Sequence, residues 1–265
     1  MLRTMAGIII IWCAIPAGAA RAQHKSLYGV TFNNPVSASV NTMFWNQMSS
    51  HSLYRAMLKQ RGYTDAQLGQ LSTEQMRAAL QGEKPAAAPA ASRTPPRPAT
   101  RFVPLPRRVL LPALVRSLTR DAQQQRAILQ VLEAGIRGYE EEGKTTGWVN
   151  DVAGAIAYFV GATYLVYHDG ESPSERGLDR LALALQQNLN TPQLSRAAAG
   201  DKQKFYELMI GLGTFLSVSY RQAAAAGESA RTVELKRLAG ETLKGFLKVD
   251  PETVRITEEG LVMAK

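Results

Sequence analysis

Cysteine is all but absent. The 265 residues hold one, Cys13, inside an apolar N-terminal stretch that reads as an export signal. Once that stretch leaves, the chain has no disulfide, no thiolate metal ligand and no cysteine nucleophile. Histidine is nearly as scarce. His24, His51 and His168 are scattered without the spacing that would bring them to one zinc ion. There is no G-x-S-x-G turn, no H-E-x-x-H and no phosphate-cradling glycine loop. No internal repeat of fixed period is visible. No cofactor is implied.

Long apolar runs are also few, and the chain is organised around the main one, residues 148–167. After Asp151 come sixteen residues without Asp, Glu, Lys, Arg or His. As a helix, this stretch is apolar on every face and must be surrounded. A membrane span needs about 20 apolar residues. This segment barely reaches that and carries Asn150 and Asp151 in its first turn, so a buried central helix of a soluble bundle is expected, with no stable transmembrane span. Ala153, Ala157 and Gly161 fall four apart on one helix face. Gly213 and Ser217 repeat that spacing in a later long helix, and the two small faces are expected to meet in a close crossing.

The N-terminus supplies the signal. Arg3 is the positive start, residues 8–12 are the apolar core, and Ala20-Arg21-Ala22 has the small-x-small pattern before cleavage after Ala22. A periplasmic or secreted location follows. Charge is uneven. Residues 23–118 hold twelve Lys or Arg against three Asp or Glu, and residues 119–265 hold seventeen against nineteen. No basic and aromatic motif suited to nucleic acid accompanies the excess. An anionic surface is the partner such a basic linker would suit.

Between these ends the chain divides into four parts: signal (1–22), an N-terminal segment with a small helical unit (23–82), a Pro/Ala/Arg-rich linker (83–107) and a helical domain (108–265). In the small unit, Thr64 with Gln67 and Ser72 with Gln75 fit the capping box. In the main domain a short apolar helix follows Pro112, and Thr119 offers the next cap. The acidic run Glu140-Glu141-Glu142 then ends the second helix. Ser172, Pro173 and Glu175 read as cap, first helical residue and capping-box partner. Leu178, Leu181, Leu185 and Leu189 make an apolar stripe, and Val233 opens that of the last helix. Residues 254–263 could close as a hairpin. The fold class is all-α: a helical bundle around a buried central helix (148–168), with a short C-terminal hairpin.

No catalytic constellation stands out. His168 reads as a complement to a helix C-terminus. Asp151 is the carboxylate expected to be partly buried, with Glu140 to Glu142 across a turn as its one conceivable partner in hydrolysis. The candidate polar or pocket positions are Trp148, Asn150, Asp151, Tyr158, Tyr164, Tyr167 and Tyr206, with Tyr139 and Tyr220 flanking. Buried tyrosines need hydroxyl partners and could line a site for a small ligand.

The C-terminal helical domain resembles an uncharacterised family of bacterial exported proteins, a domain-of-unknown-function family. The resemblance rests on Asn150-Asp151-Val152-Ala153, on Tyr164-Leu165-Val166-Tyr167, on the long helix around 206–220, and on Asp250-Pro251 with Glu259-Gly260-Leu261. It covers roughly the last 160 residues. It implies an envelope location and a helical domain, and no activity. The expected role is a non-catalytic binding or interaction protein of the bacterial envelope, with an envelope protein or small ligand as partner. The alternatives are an envelope hydrolase acting on cell-wall material through Asp151, and a membrane-anchored envelope protein. Fractionation with mass spectrometry of the N-terminus tests the signal: a species released without detergent and beginning at Gln23 is expected, and a membrane-bound chain retaining Arg3 contradicts it.

Overall fold

The computed structural model describes residues 50–81 and 98–264. The export signal, the N-terminal aromatic residues and linker residues 82–97 lie outside the described residues. The helices are α1 (Ser50–Gln60), α2 (Asp65–Gly69), α3 (Thr73–Gln81), α4 (Leu111–Leu118), α5 (Ala122–Thr146), α6 (Val152–Tyr167), α7 (Glu175–Asn188), α8 (Pro192–Arg196), α9 (Ala199–Ala225) and α10 (Ser229–Leu247). A short 3-10 turn (Pro251–Thr253) leads into a hairpin of β1 (Val254–Thr257) and β2 (Gly260–Met263). The chain is all-α apart from this hairpin.

The central helix is α6, and every residue from Val152 through Val166 is buried. Helices α7, α9 and α10 pack directly against it, and α5 packs on α9. Its start differs from expectation. Residues 148–151 are a connector, not helix. Gly147 ends α5 in the left-handed region (φ 79°), and Asn150 is left-handed as well (φ 55°). Asn tolerates that conformation better than other non-glycine residues. Asp151 then caps the helix, accepting from Ala153 N at 2.9 Å. The other end stops at Tyr167, with His168 as the cap residue.

The two helices α6 and α9 do cross closely at Gly213, as expected, but it meets Tyr158 and Ala162 there. At Gly213, an added Cβ would lie 3.0 Å from the Tyr158 ring and 3.2 Å from Ala162. Gly161 instead faces α7, where a Cβ would meet Leu178 at 2.8 Å. The expected small face is therefore split between two neighbours, because three helices press on α6 at once.

Several boundaries also move. Helix α5 continues through Gly143 to Thr146, so the acidic run lies inside it. Asp121, not Thr119, caps α5, accepting from Gln124 N at 2.7 Å. Ser174, not Ser172, caps α7, accepting from Gly177 N at 3.2 Å, while its own N–H donates to Ile256 O. That bond to the hairpin selects the later serine, a tertiary contact invisible locally. Val233 is 65% exposed and does not join the inner face of α10.

The hairpin pairs Val254 with Met263 and Ile256 with Leu261, and all four side chains are buried. The small unit docks on the main domain. Tyr54 donates to Leu247 O at 3.0 Å, and the Gln60 amide donates to Arg180 O. Tyr54, Leu58, Leu68, Met76 and Leu80 join the common core. Both capping boxes form. The expected linker ends earlier than residue 107: Ala99, Thr100 and Phe102 are buried. Thr100 O accepts from Val152 N, and Phe102 N donates to Asn150 O, both at 3.1 Å. Residues 99–110 thus form a strap over the bundle.

The tightest approach is at Gly177, where a Cβ would sit 2.0 Å from the backbone oxygen of Thr257. Gly177→Ala should lower stability by at least about 1–3 kcal/mol through overpacking. Gly69→Ala, in a helix with nothing within 4 Å, should raise it by roughly 0.5–1 kcal/mol. Thermal melts of the two variants check both directions.

Candidate functional site

The connector before α6 brings together most of the predicted positions. Asp151 has no exposed surface. One carboxylate oxygen caps α6; the other accepts from Gln186 Nε2 at 2.8 Å and from Arg101 Nε at 3.4 Å. Arg101 also donates to Gly147 O at 2.8 Å. The carboxylate therefore ties three elements: α6, α7 and the strap. Beside it, Trp148 Nε1 donates to Asp179 Oδ1 at 2.9 Å, and the Trp148 carbonyl accepts from the Tyr139 hydroxyl at 3.2 Å. Gly154 makes room for both rings, since a Cβ there would lie 2.6 Å from the Tyr139 oxygen and 2.7 Å from Trp148.

The aromatic rings continue inward edge to face. Phe102 meets Tyr206 at 5.3 Å, Tyr206 meets Tyr139 at 5.8 Å, and Tyr139 meets Tyr158 at 5.2 Å. Their hydroxyls are partnered: Tyr206 donates to Glu140 Oε1 at 3.3 Å, and Tyr158 pairs with Thr214 Oγ1 at 3.1 Å. Burial pushes the Tyr158 hydroxyl up to about 12. The same cause raises Tyr206 further, with the Glu140 charge adding to it. Tyr139 is raised well above its ordinary value by burial and then by Tyr206. These phenols stay neutral donors at any ordinary pH. Such contacts make the tyrosines packed core.

Tyr164 and Tyr167 belong to a different place. Helix geometry puts Tyr167 ~24 Å along the axis from Asp151. There Tyr164 lies against His168, ring centroids 4.2 Å apart, and Tyr167 meets it edge-on at 5.1 Å. Burial, then the positive charge of Arg255, lowers the His168 pKa. Both effects work against the positive charge expected of it at the helix end, and the ring packs between two tyrosines. Tyr220 reaches this end too, donating to Asp169 at 3.5 Å, and Lys236 pairs with Asp169 at 2.6 Å.

Sequence reasoning missed the strongest polar feature. Glu207 on α9 has no exposed surface. It accepts from Val109 N at 2.9 Å, Leu110 N at 2.7 Å and Gln203 Nε2 at 2.8 Å. A side chain from another helix thus serves the unsatisfied N–H groups entering α4, whose own N-cap Leu110 makes no side-chain bond. Gln203 grips the strap a turn earlier, accepting from Leu105 N at 2.6 Å and donating to Arg107 O at 2.9 Å. Arg108 pairs with Glu140 at 2.7 Å. A signal existed for one of them: Glu207 is a lone acid between Phe205-Tyr206 and Leu208-Met209, with Gln203 four residues before it.

Glu140 and Asp151, the carboxylates weighed as a hydrolytic pair, are both held in this network; Glu141 pairs on the surface with Lys144. Among the described residues no group of His, Asp or Glu has the arrangement of a metal site, and no helix is long and apolar enough to cross a membrane. A groove between α5 and α9, lined by Ala127, Ile128, Val131, Phe215, Val218 and Gln222, has room for little more than a water molecule.

Fold and site together define an all-helical bundle whose buried acids clamp a surface strap. Compared with protein families, residues 2–264 match a family of unknown function, DUF6683, and the chain belongs to it. The match covers nearly the whole chain, so the kinship is not confined to the last 160 residues as the resemblance implied. The comparison with curated proteins found no match, and that with solved structures found none either.

The tyrosine cluster predicts a sign for the alkaline limit. Unfolded tyrosine ionises near 10.0, whereas folded Tyr158 holds its proton to about 12. The stabilisation is complete below pH 10 and is lost as pH rises from 10.0 toward about 12. In an alkaline titration, tyrosinate absorbance from this cluster should appear together with loss of helical circular dichroism. Ionisation of the whole tyrosine set with the fold intact contradicts the packing described.

Proposed function

We propose that this protein is a non-catalytic interaction protein of the bacterial cell envelope. The observation that carries the reading is the use made of two buried acids and a partly buried one. Asp151, Glu140 and Glu207 each hold structural donors: a helix start, a strap arginine, a tyrosine hydroxyl, strap backbone. Acids engaged in this way serve the packing of the chain, and removing a partner from a buried one is expected to cost stability. The signal-like N-terminus supports export, with cleavage after Ala22 and a periplasmic or secreted location. Partners are then met on the outside of the bundle: an envelope protein, a small ligand or an anionic surface.

Asp151→Asn distinguishes this from hydrolysis through Asp151. The amide would set a donor against Arg101 or Gln186, costing about 1–3 kcal/mol for the mismatched group. The expected result is a lower melting temperature with unchanged capture of envelope material by the folded variant. An unchanged melting temperature with loss of a cell-wall-degrading activity would sink the reading. A pull-down from envelope fractions that returns no specific partner or ligand would count against it as well.

A further inference from the structure

One side of the strap is uncovered. Residues 103–107 are exposed in a row, and the first four are apolar: Val103, Pro104, Leu105 and Pro106. Val103 is 62% exposed and Leu105 44%; among the described residues the other large apolar side chains this open are Leu183 and Val233. The ridge is not a loose loop. Buried Phe102 anchors it on one side, and Gln203 holds the main chain beneath it through Leu105 N and Arg107 O. A fixed, uncovered apolar ridge marks a surface that meets something.

The charge along this part of the chain has one sign. Residues 84–120 contain eight Lys or Arg and no Asp or Glu. Arg101 and Arg108 are engaged with Asp151 and Glu140. Arg107, Arg116 and Arg120 are exposed, and their side chains have no ion pair or hydrogen bond among the described residues. Helix α4 turns Leu111, Leu114 and Val115 inward and leaves Arg116 outside. The acids nearby are taken: Glu207 by strap backbone, Glu140 by Arg108, Asp201 by Lys204, and Asp121 as the cap of α5.

We infer that this ridge and its arginines are the surface by which the protein lies on an anionic lipid bilayer. The inference rests on the interaction reading above and names its partner. Exposed apolar side chains enter the soft layer between headgroups and acyl chains without needing a matching recess. The guanidinium groups of Arg107, next to them in the chain, and of Arg116 and Arg120, on and just after α4, would meet phosphate oxygens in paired hydrogen bonds. The cationic residues of the preceding segment add attraction of the same sign.

The test is co-sedimentation of the full chain, its N-terminus read by mass spectrometry, with phosphatidylcholine vesicles that contain or lack phosphatidylglycerol. Partitioning onto the anionic vesicles alone, weakened by added salt, is expected. The triple variant Arg107→Gln, Arg116→Gln, Arg120→Gln should bind about 100-fold more weakly, about fivefold per arginine. Val103→Ser with Leu105→Ser should also weaken binding, and neither set should move the melting temperature, since all five side chains are exposed. Equal binding to neutral vesicles, no binding at all, or full binding by both variants overturns the lipid assignment. Equal retention on immobilised polyglutamate overturns it too, as the patch would then be a general binder of acidic polymers. Such a failure leaves the interaction reading to be judged by the pull-down, which does not depend on lipid.

Discussion

A helix with no polar face decides most of this architecture. Helix α6 is buried throughout its length, so it can exist in water only when other helices cover every side. Helices α7, α9 and α10 do so. Close approach is reached by glycines at the crossings: Gly213 against Tyr158, Gly161 against Leu178, and Gly240 against Tyr167. Three neighbours pressing on one cylinder also explain why its small residues do not form a single stripe against one partner.

Covering α6 brings its N-terminal backbone donors and the acids of the flanking helices into the interior. A buried carboxylate is tolerable only when its lone pairs are met. Asp151 meets that condition with one amide of its own helix and the side chains of Arg101 and Gln186. Glu207 meets it with the strap amides of Val109 and Leu110. Glu140, only partly buried, pairs with Arg108 and accepts from the Tyr206 hydroxyl. The strap and the interior acids therefore depend on each other. Without the strap the acids lose partners, and without the acids residues 99–110 lose part of what holds them, keeping Phe102, the Gln203 bonds and the backbone bonds to Asn150 and Val152.

This mutual dependence also separates inside from outside. The polar chemistry of the interior is taken up in holding the chain in place. The apolar ridge and Arg107 of the same segment are exposed. One stretch of chain thus serves packing with one side and leaves apolar side chains exposed on the other.

Local patterns were legible where the deciding interaction is local. The lack of polar residues after Asp151 marked α6 as buried, and the Thr64 and Ser72 boxes form as their spacing requires. The leucine stripe of α7 followed from periodicity, while the tail read equally as a hairpin or as packed extended chain until its pairing was seen. Where a partner distant in sequence chooses, the reading failed. Ser174 replaced Ser172 because its N–H bonds Ile256 of the hairpin. Tyr164 and Tyr167 parted from Tyr158 and Tyr206 because they lie far along one helix axis, although all read alike as aromatic residues. Gln203 and Glu207 looked like ordinary polar residues of a long helix until the strap was seen to lie across them. By itself, then, the sequence determined that the chain is helical, where the enclosed helix lies and which residues cap several helix starts, because hydrophobic periodicity and capping act within a few residues. Tertiary structure alone decided which acids are buried, what they hold and which apolar side chains are left outside, because those outcomes depend on donors supplied by segments up to about a hundred residues away.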